Sequence, residues 1–125
     1  MSTQRNISLN AALRAEAPVG GGRTTILMLD FCGLYGQSDE ASVHVIGTVP
    51  SPYVVPLKSI LRVRMFALKI LSGGPVVLLL TSAAGVDQQV PVSSQILFNN
   101  PTGDAFTNIE IVGDADVEYM LAGDA

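Results

Sequence analysis

Polar and apolar positions alternate along much of this chain with the two-residue period of a strand. Within 106–112, Thr107, Ile109 and Ile111 point one way, and Asn108 and Glu110 the other. Within 115–121, Ala115, Val117, Tyr119 and Leu121 share a face, and Asp116 and Glu118 share the opposite one. Gly113-Asp114 lies between the two segments, which predicts a hairpin with one dry and one acidic face. Residues 41–48 alternate too, with Val43 and Val45 on one side and Ser42, His44 and Ile46 on the other. TTILMLDF at 24–31 is β-branched and apolar after a glycine run, which predicts a strand. Residues 76–81 are apolar on both faces, so they predict a central strand. Pro91 makes 89–92 an edge. Residues 95–98 predict a strand closed by turn residues at 99–104. Pro50, Pro52 and Pro56 bracket 53–55 as an edge segment or an extended crossing loop.

Two stretches carry a helical signal. In 60–71 and just before it, Leu57, Ile60, Leu61, Met65, Leu68 and Leu71 fit one helical face, with Ser72-Gly73-Gly74 as a C-cap. Arg62 and Arg64 nevertheless alternate with Leu61, Val63 and Met65, and the neighbours on both sides are strands, so strand is preferred. Residues 8–17 are rich in Ala, Leu, Arg and Glu and predict two helical turns, stopped by Pro18 and Gly20-Gly21-Gly22. So short a helix is marginal alone. Residues 1–22 are therefore expected to be an arm that docks on something or a loose terminus. About eight short strands between Gly, Pro, Asn and Asp turns predict an all-β fold, a β-sandwich or small barrel with jelly-roll topology possible. The expected division is an arm at 1–22 and a single β domain at 23–125. GGRTTILML at 21–29 and GGPVVLLLT at 73–81 echo each other, as two equivalent strands would.

Composition changes the picture. Charged residues are 14% of the chain, against about 25% in an average soluble domain. Hydrophobic residues are 48%, and the mean hydropathy is +0.41. A chain with so few charges to cover its surface is expected to bury part of it against other chains. No apolar run reaches the roughly 18 residues of a spanning helix, and no signal-peptide core is evident, so no membrane role and synthesis in the cytoplasm are expected. Cys32 is the single cysteine and is expected to be a small buried hydrophobe. Charge is sorted: residues 1–70 hold all seven Lys and Arg with four acids, and residues 71–125 hold seven acids and no Lys or Arg. The two signs can pair within one fold or between neighbouring subunits.

Few residues suggest chemistry. His44 is the only histidine, and Ser42 beside it on one strand face is not a triad. Asp114, Asp116 and Glu118 alternate near Glu110 and form the one weak calcium candidate, since hard oxygen ligands suit that ion. The preferred reading of the acidic face is a solvated surface, or an interface in which Glu110, Asp116 and Glu118 meet Arg62, Arg64 and Lys69. Nucleic acid is disfavoured by the acidic net charge. No glycine-rich phosphate loop occurs. No catalytic group, cofactor or resident metal is expected.

The arm, then FALKILSGGPVVLLLTSAAG at 66–85, then FNNPTGDAFTNIEIVGDADVEYMLAGD at 98–124, resemble in style small accessory proteins of tailed-phage virions, of the capsid decoration or cement type. The resemblance implies a non-enzymatic virion protein, a homo-oligomer and often a trimer, that binds a major capsid protein or another virion protein. It assigns no functional residue. The alternative is a small β-sandwich binding module that recognises a ligand or host surface through loops such as 32–40 and 99–104.

Overall fold

The computed structural model describes residues 5–16, 23–100 and 104–125, with side chains from residue 35 onward. Its regular structure is entirely β, as the alternation predicts. The strands are β1 (Arg5–Glu16), β2 (Arg23–Tyr35), β3 (Gln37–Gly47), β4 (Tyr53–Val54), β5 (Arg62–Gly73), β6 (Val76–Ser82), β7 (Asp87–Val92), β8 (Gln95–Asn99) and β9 (Phe106–Asp124). The expected helix at 8–17 is corrected: the segment falls largely in β1, paired antiparallel with β2 from Arg5 opposite Tyr35 to Glu16 opposite Arg23. Backbone pairing here overrides the helix preference of its alanines. The ambiguous 60–71 stretch resolves as strand β5. The boundary expected at residue 22 falls between β1 and β2. Part of the 99–104 turn, residues 101–103, lies outside the described residues.

β3 to β9 form one curled antiparallel sheet, a half-barrel built around β9. The predicted hairpin at Gly113-Asp114 is the main correction, because residues 106–124 are a single 19-residue strand. The reason is facing. A two-residue turn at 113–114 would pair 112 with 115 and 111 with 116, placing Ile111 beside Asp116. An unbroken strand keeps Ile109, Ile111, Ala115, Val117, Tyr119 and Leu121 on one side, and all six are buried.

β9 is flanked along both edges by a broken strand. On one side β3 pairs with its C-terminal half, Gln37 opposite Gly123 to Gly47 opposite Gly113, and β4 follows at Ile111 and Glu110. On the other side β5 runs from Arg62 opposite Asp124 to Gly73 opposite Ala115, and β6 continues from Val77 opposite Val112. Ser72-Gly73-Gly74-Pro75 is thus a corner between strands that share an edge. Gly47 stands opposite Gly113 at this corner, and Gly73 opposite Ala115. Gly113 has φ 142°, and a Cβ there would lie 2.9 Å from Val76 Cγ1. A Cβ on Gly47 would lie 2.2 Å from the Ile111 carbonyl oxygen. The bend is large: Val63 is in register with both Gly123 and Phe106, residues that a straight strand would hold about 55 Å apart.

The bend folds the two halves of the sheet onto one core. Phe66 and Leu68 of β5, Leu78 and Leu80 of β6, Val45 of β3 and Val92 of β7 meet the buried side of β9. Phe66 stacks on Tyr119 at 6.1 Å between ring centroids. Burying each such side chain contributes roughly 1.5–3 kcal/mol. The 55–61 crossover adds Val55 and Ile60 to this core. β7 lies at an edge, and β6 lies between β7 and β9, both as the sequence predicts.

Candidate interaction site

The outward face of β3, β9, β5 and β8 gathers most of the residues singled out by the sequence. Alternation and antiparallel register set them in rows. Ser42, Glu118, Lys69 and Gln95 form one row, and Glu40, Met120, Ala67 and Leu97 the next. Ser38, Ala122, Met65 and Asn99 form a third. Tyr35 packs over this third row with Met65 and Ala122, fully buried, and its hydroxyl donates to Asn99 Oδ1 at 2.5 Å. A groove of about 900 Å³ follows these rows, with Met65, Ala67, Leu97 and Met120 on its floor, Lys69 and Glu118 towards one end, and Glu40 in the row of Met120 and Ala67. This outward apolar face is what the pattern reading missed. Its signal was present in MFALK at 65–69, where Met65 and Ala67 occupy the side opposite Phe66 and Leu68.

At the corner, His44 stands directly opposite Asp116 in the register. Its Nδ1 lies 2.6 Å from Asp116 Oδ1, and its Nε2 lies 3.2 Å from Asp114 Oδ1. Ser72 Oγ donates to Asp116 Oδ2 at 2.7 Å. The hydrogen bond to Asp116 raises the His44 pKa above its ordinary value, and the charges of Asp116 and Asp114 add to it. Hydrogen bonds from Ser72 and then His44 lower the Asp116 carboxyl. Both ring nitrogens face carboxylates, so this geometry favours the imidazolium. Ser72 gives its proton to the carboxylate rather than to the imidazole, an order that does not activate a serine nucleophile.

The other predicted residues fall into place around these features. Arg64 Nε donates to Asp124 Oδ2 at 2.7 Å, so this cation meets its acid within the chain. Lys69 stands opposite Glu118, and Arg62 opposite Asp124. Glu110, in the other half of β9, accepts from Asn108 Nδ2 at 3.0 Å and is not brought to the cationic row. Asp114 and Asp116, two of the three calcium candidates, face His44. Among the described residues, no group of three or more His, Cys, Asp and Glu side chains is placed to hold a metal ion. Lys58 and Asp39 form a pair at 3.1 Å that the sequence reading did not anticipate. Inside the core, burial pushes the Tyr119 phenol up to about 12. Cys32 lies in β2, opposite Ser8.

Fold and face together define a class, a small all-β half-barrel with apolar residues on both sides of its sheet. No family model matches the chain, and no curated protein is found to be similar to it.

Proposed function

We propose that the protein is a non-enzymatic structural protein of a phage virion, a self-assembling homo-oligomer that decorates or cements a capsid or forms part of a virion appendage. One observation carries the assembly part of this reading. The outward sheet face leaves half-buried Ala67, Leu97 and Met120 on an apolar floor in a chain of low charge content. Such a face gains from association, since apolar area removed from water is worth roughly 25 cal/mol per Å² before the costs of binding. The virion part rests on the resemblance of residues 60–125 to capsid decoration proteins. A binding module is the second reading, and the same groove favours it: an apolar trough with Lys69 and Glu118 at one end has the character of a ligand site.

Light scattering at low and at high salt tests the proposal. The expected result is a stable oligomer at both. A mass that falls with salt assigns part of the contact to exposed charges. A monomer at both salts overturns the assembly reading and leaves the binding module.

A further inference from the structure

The longest edge of the half-barrel is β3, at 11 residues. Among the described residues it pairs on one side, with β9. The other edges are short or blunted: β8 has 5 residues, and β7 contains Pro91. β3 contains no proline, and its register against β9 runs unbroken from Gln37 to Gly47. Its inward acid, Asp39, is held by Lys58 at 3.1 Å. A long, regular edge of this kind is a template for another strand.

Backbone hydrogen bonds fix which residues offer that template. On the β4 side of β9, the Val55 N–H donates to the Ile109 carbonyl at 2.9 Å. On the β5 side, the N–H groups of Gly74 and Leu61 donate to the carbonyls of Asp114 and Asp124, each at 2.9 Å. Odd-numbered residues of β9 therefore bond towards β3 and β4, and even-numbered ones towards β5 and β6. In β3, Ala41, Val43 and Val45 stand opposite odd-numbered residues and bond to β9. The N–H and C=O groups of Glu40, Ser42 and His44 point the other way, to the outer edge, and all three residues are exposed.

We infer that β3 pairs antiparallel with β3 of a second copy about a two-fold axis at Ser42, so that two half-barrels share one sheet. The inference rests on the self-assembly reading and deepens it by naming a contact. A two-fold contact needs a self-complementary patch, and an antiparallel strand edge is one. With the axis at Ser42, the outer-edge groups meet as bonded pairs: Ser42 opposite Ser42, and Glu40 opposite His44 of the second copy. Ala41 falls opposite Val43 of the second copy in the close, non-bonded pairs. Both are half-buried at the rim of the core, and the pairing covers them. Charge selects this register. An axis at Glu40 or at His44 sets like groups against each other, whereas the axis at Ser42 sets the Glu40 carboxylate against the His44 imidazolium, which also faces Asp114 and Asp116. By itself the contact closes a dimer.

Amide hydrogen exchange and isotope-filtered NMR on the unmodified full chain test the contact, beside light scattering. Chains labelled with heavy carbon and nitrogen are mixed with ordinary chains. The expected result is an oligomer in which the amides of Glu40, Ser42 and His44 exchange slowly, and Ala41 Hα shows a nuclear Overhauser contact to Val43 Hα of another copy. Ser42→Pro removes a donor that does not bond to β9, so it should lower the mass of a still folded protein, whereas Ser42→Ala should keep the mass. An oligomer with fast exchange at these amides and no such contact would overturn the edge pairing and leave self-assembly standing. A folded Ser42→Pro variant of unchanged mass would do the same. Should that variant fail to fold, the measurements on the unmodified chain decide. A monomer would overturn both.

Discussion

His44 sits in an arrangement with a readable titration. The Asp116 hydrogen bond and the nearby carboxylates favour its protonated form, so its folded pKa lies above the ordinary 6.5. A group with a raised folded pKa contributes stability that is fully present below the unfolded value. That contribution is lost as pH rises through the folded value. Proton NMR of the single histidine should give a midpoint above 6.5, and Asp116→Asn should lower it; an unshifted midpoint would refute the His44–Asp116 hydrogen bond. Asp116 has the opposite sign, because its folded pKa is lowered from 3.8. Its contribution is present above 3.8 and is lost as pH falls through the lowered value. Gly47 makes a second residue-scale prediction. A Cβ there meets backbone at 2.2 Å, so Gly47→Ala should lower stability in urea by about 1–3 kcal/mol, the usual range for overpacking. Gly36→Ala, where nothing lies within 4 Å of the added carbon, should change it little.

At the scale of the element, β9 tests the parity argument. Inserting one residue after Gly113 would turn every side chain from 114 onward to the opposite face. Val117, Tyr119 and Leu121 would then face water, and Asp116 and Glu118 the core. Circular dichroism and denaturation should show loss of the cooperative fold; a variant that melts like the parent would refute the single strand. The facing of β9 was legible in its sequence, and so in principle was its continuity, since a turn at 113–114 sets Ile111 against Asp116. Gly-Asp is a strong local turn signal, and it outweighed the facing pattern. For β1, helix-forming alanines and leucines in 8–17 concealed an alternation of Ile7, Leu9, Ala11 and Leu13. Neither β1 nor β9 is settled by local preference, because each is decided by the strand beside it.

For the whole molecule, strand class, the central place of β6 and the edge position of β7 followed from pattern and proline. The corner did not. Glycines at 47, 73 and 113 are scattered in sequence, and only the register brings them together, Gly47 opposite Gly113 and Gly73 two residues along β9, opposite Ala115. The candidate site was partly legible for the same reason. Opposed charges along β5 and β9 were visible as alternation, and the structure pairs Arg64 with Asp124 and sets Lys69 against Glu118. The groove was not visible, because it draws its floor from strands up to 55 residues apart in the chain, Met65 and Met120. Assembly belongs to this scale, and its expected signature is the mass in solution described above.

The double register of Val63, with Gly123 and with Phe106, has a consequence for how the chain comes into being. β3, β4, β5 and β6 all hydrogen-bond to β9, which follows them in the order of synthesis. Until residues 106–124 leave the ribosome, these four strands lack their shared neighbour and expose their edges. Contacts this distant in sequence make folding slow, because the loops between them must close before any pairing rewards it. Folding of the half-barrel is therefore late and concerted rather than progressive, and the nascent chain is a natural client for factors that shield unpaired strands.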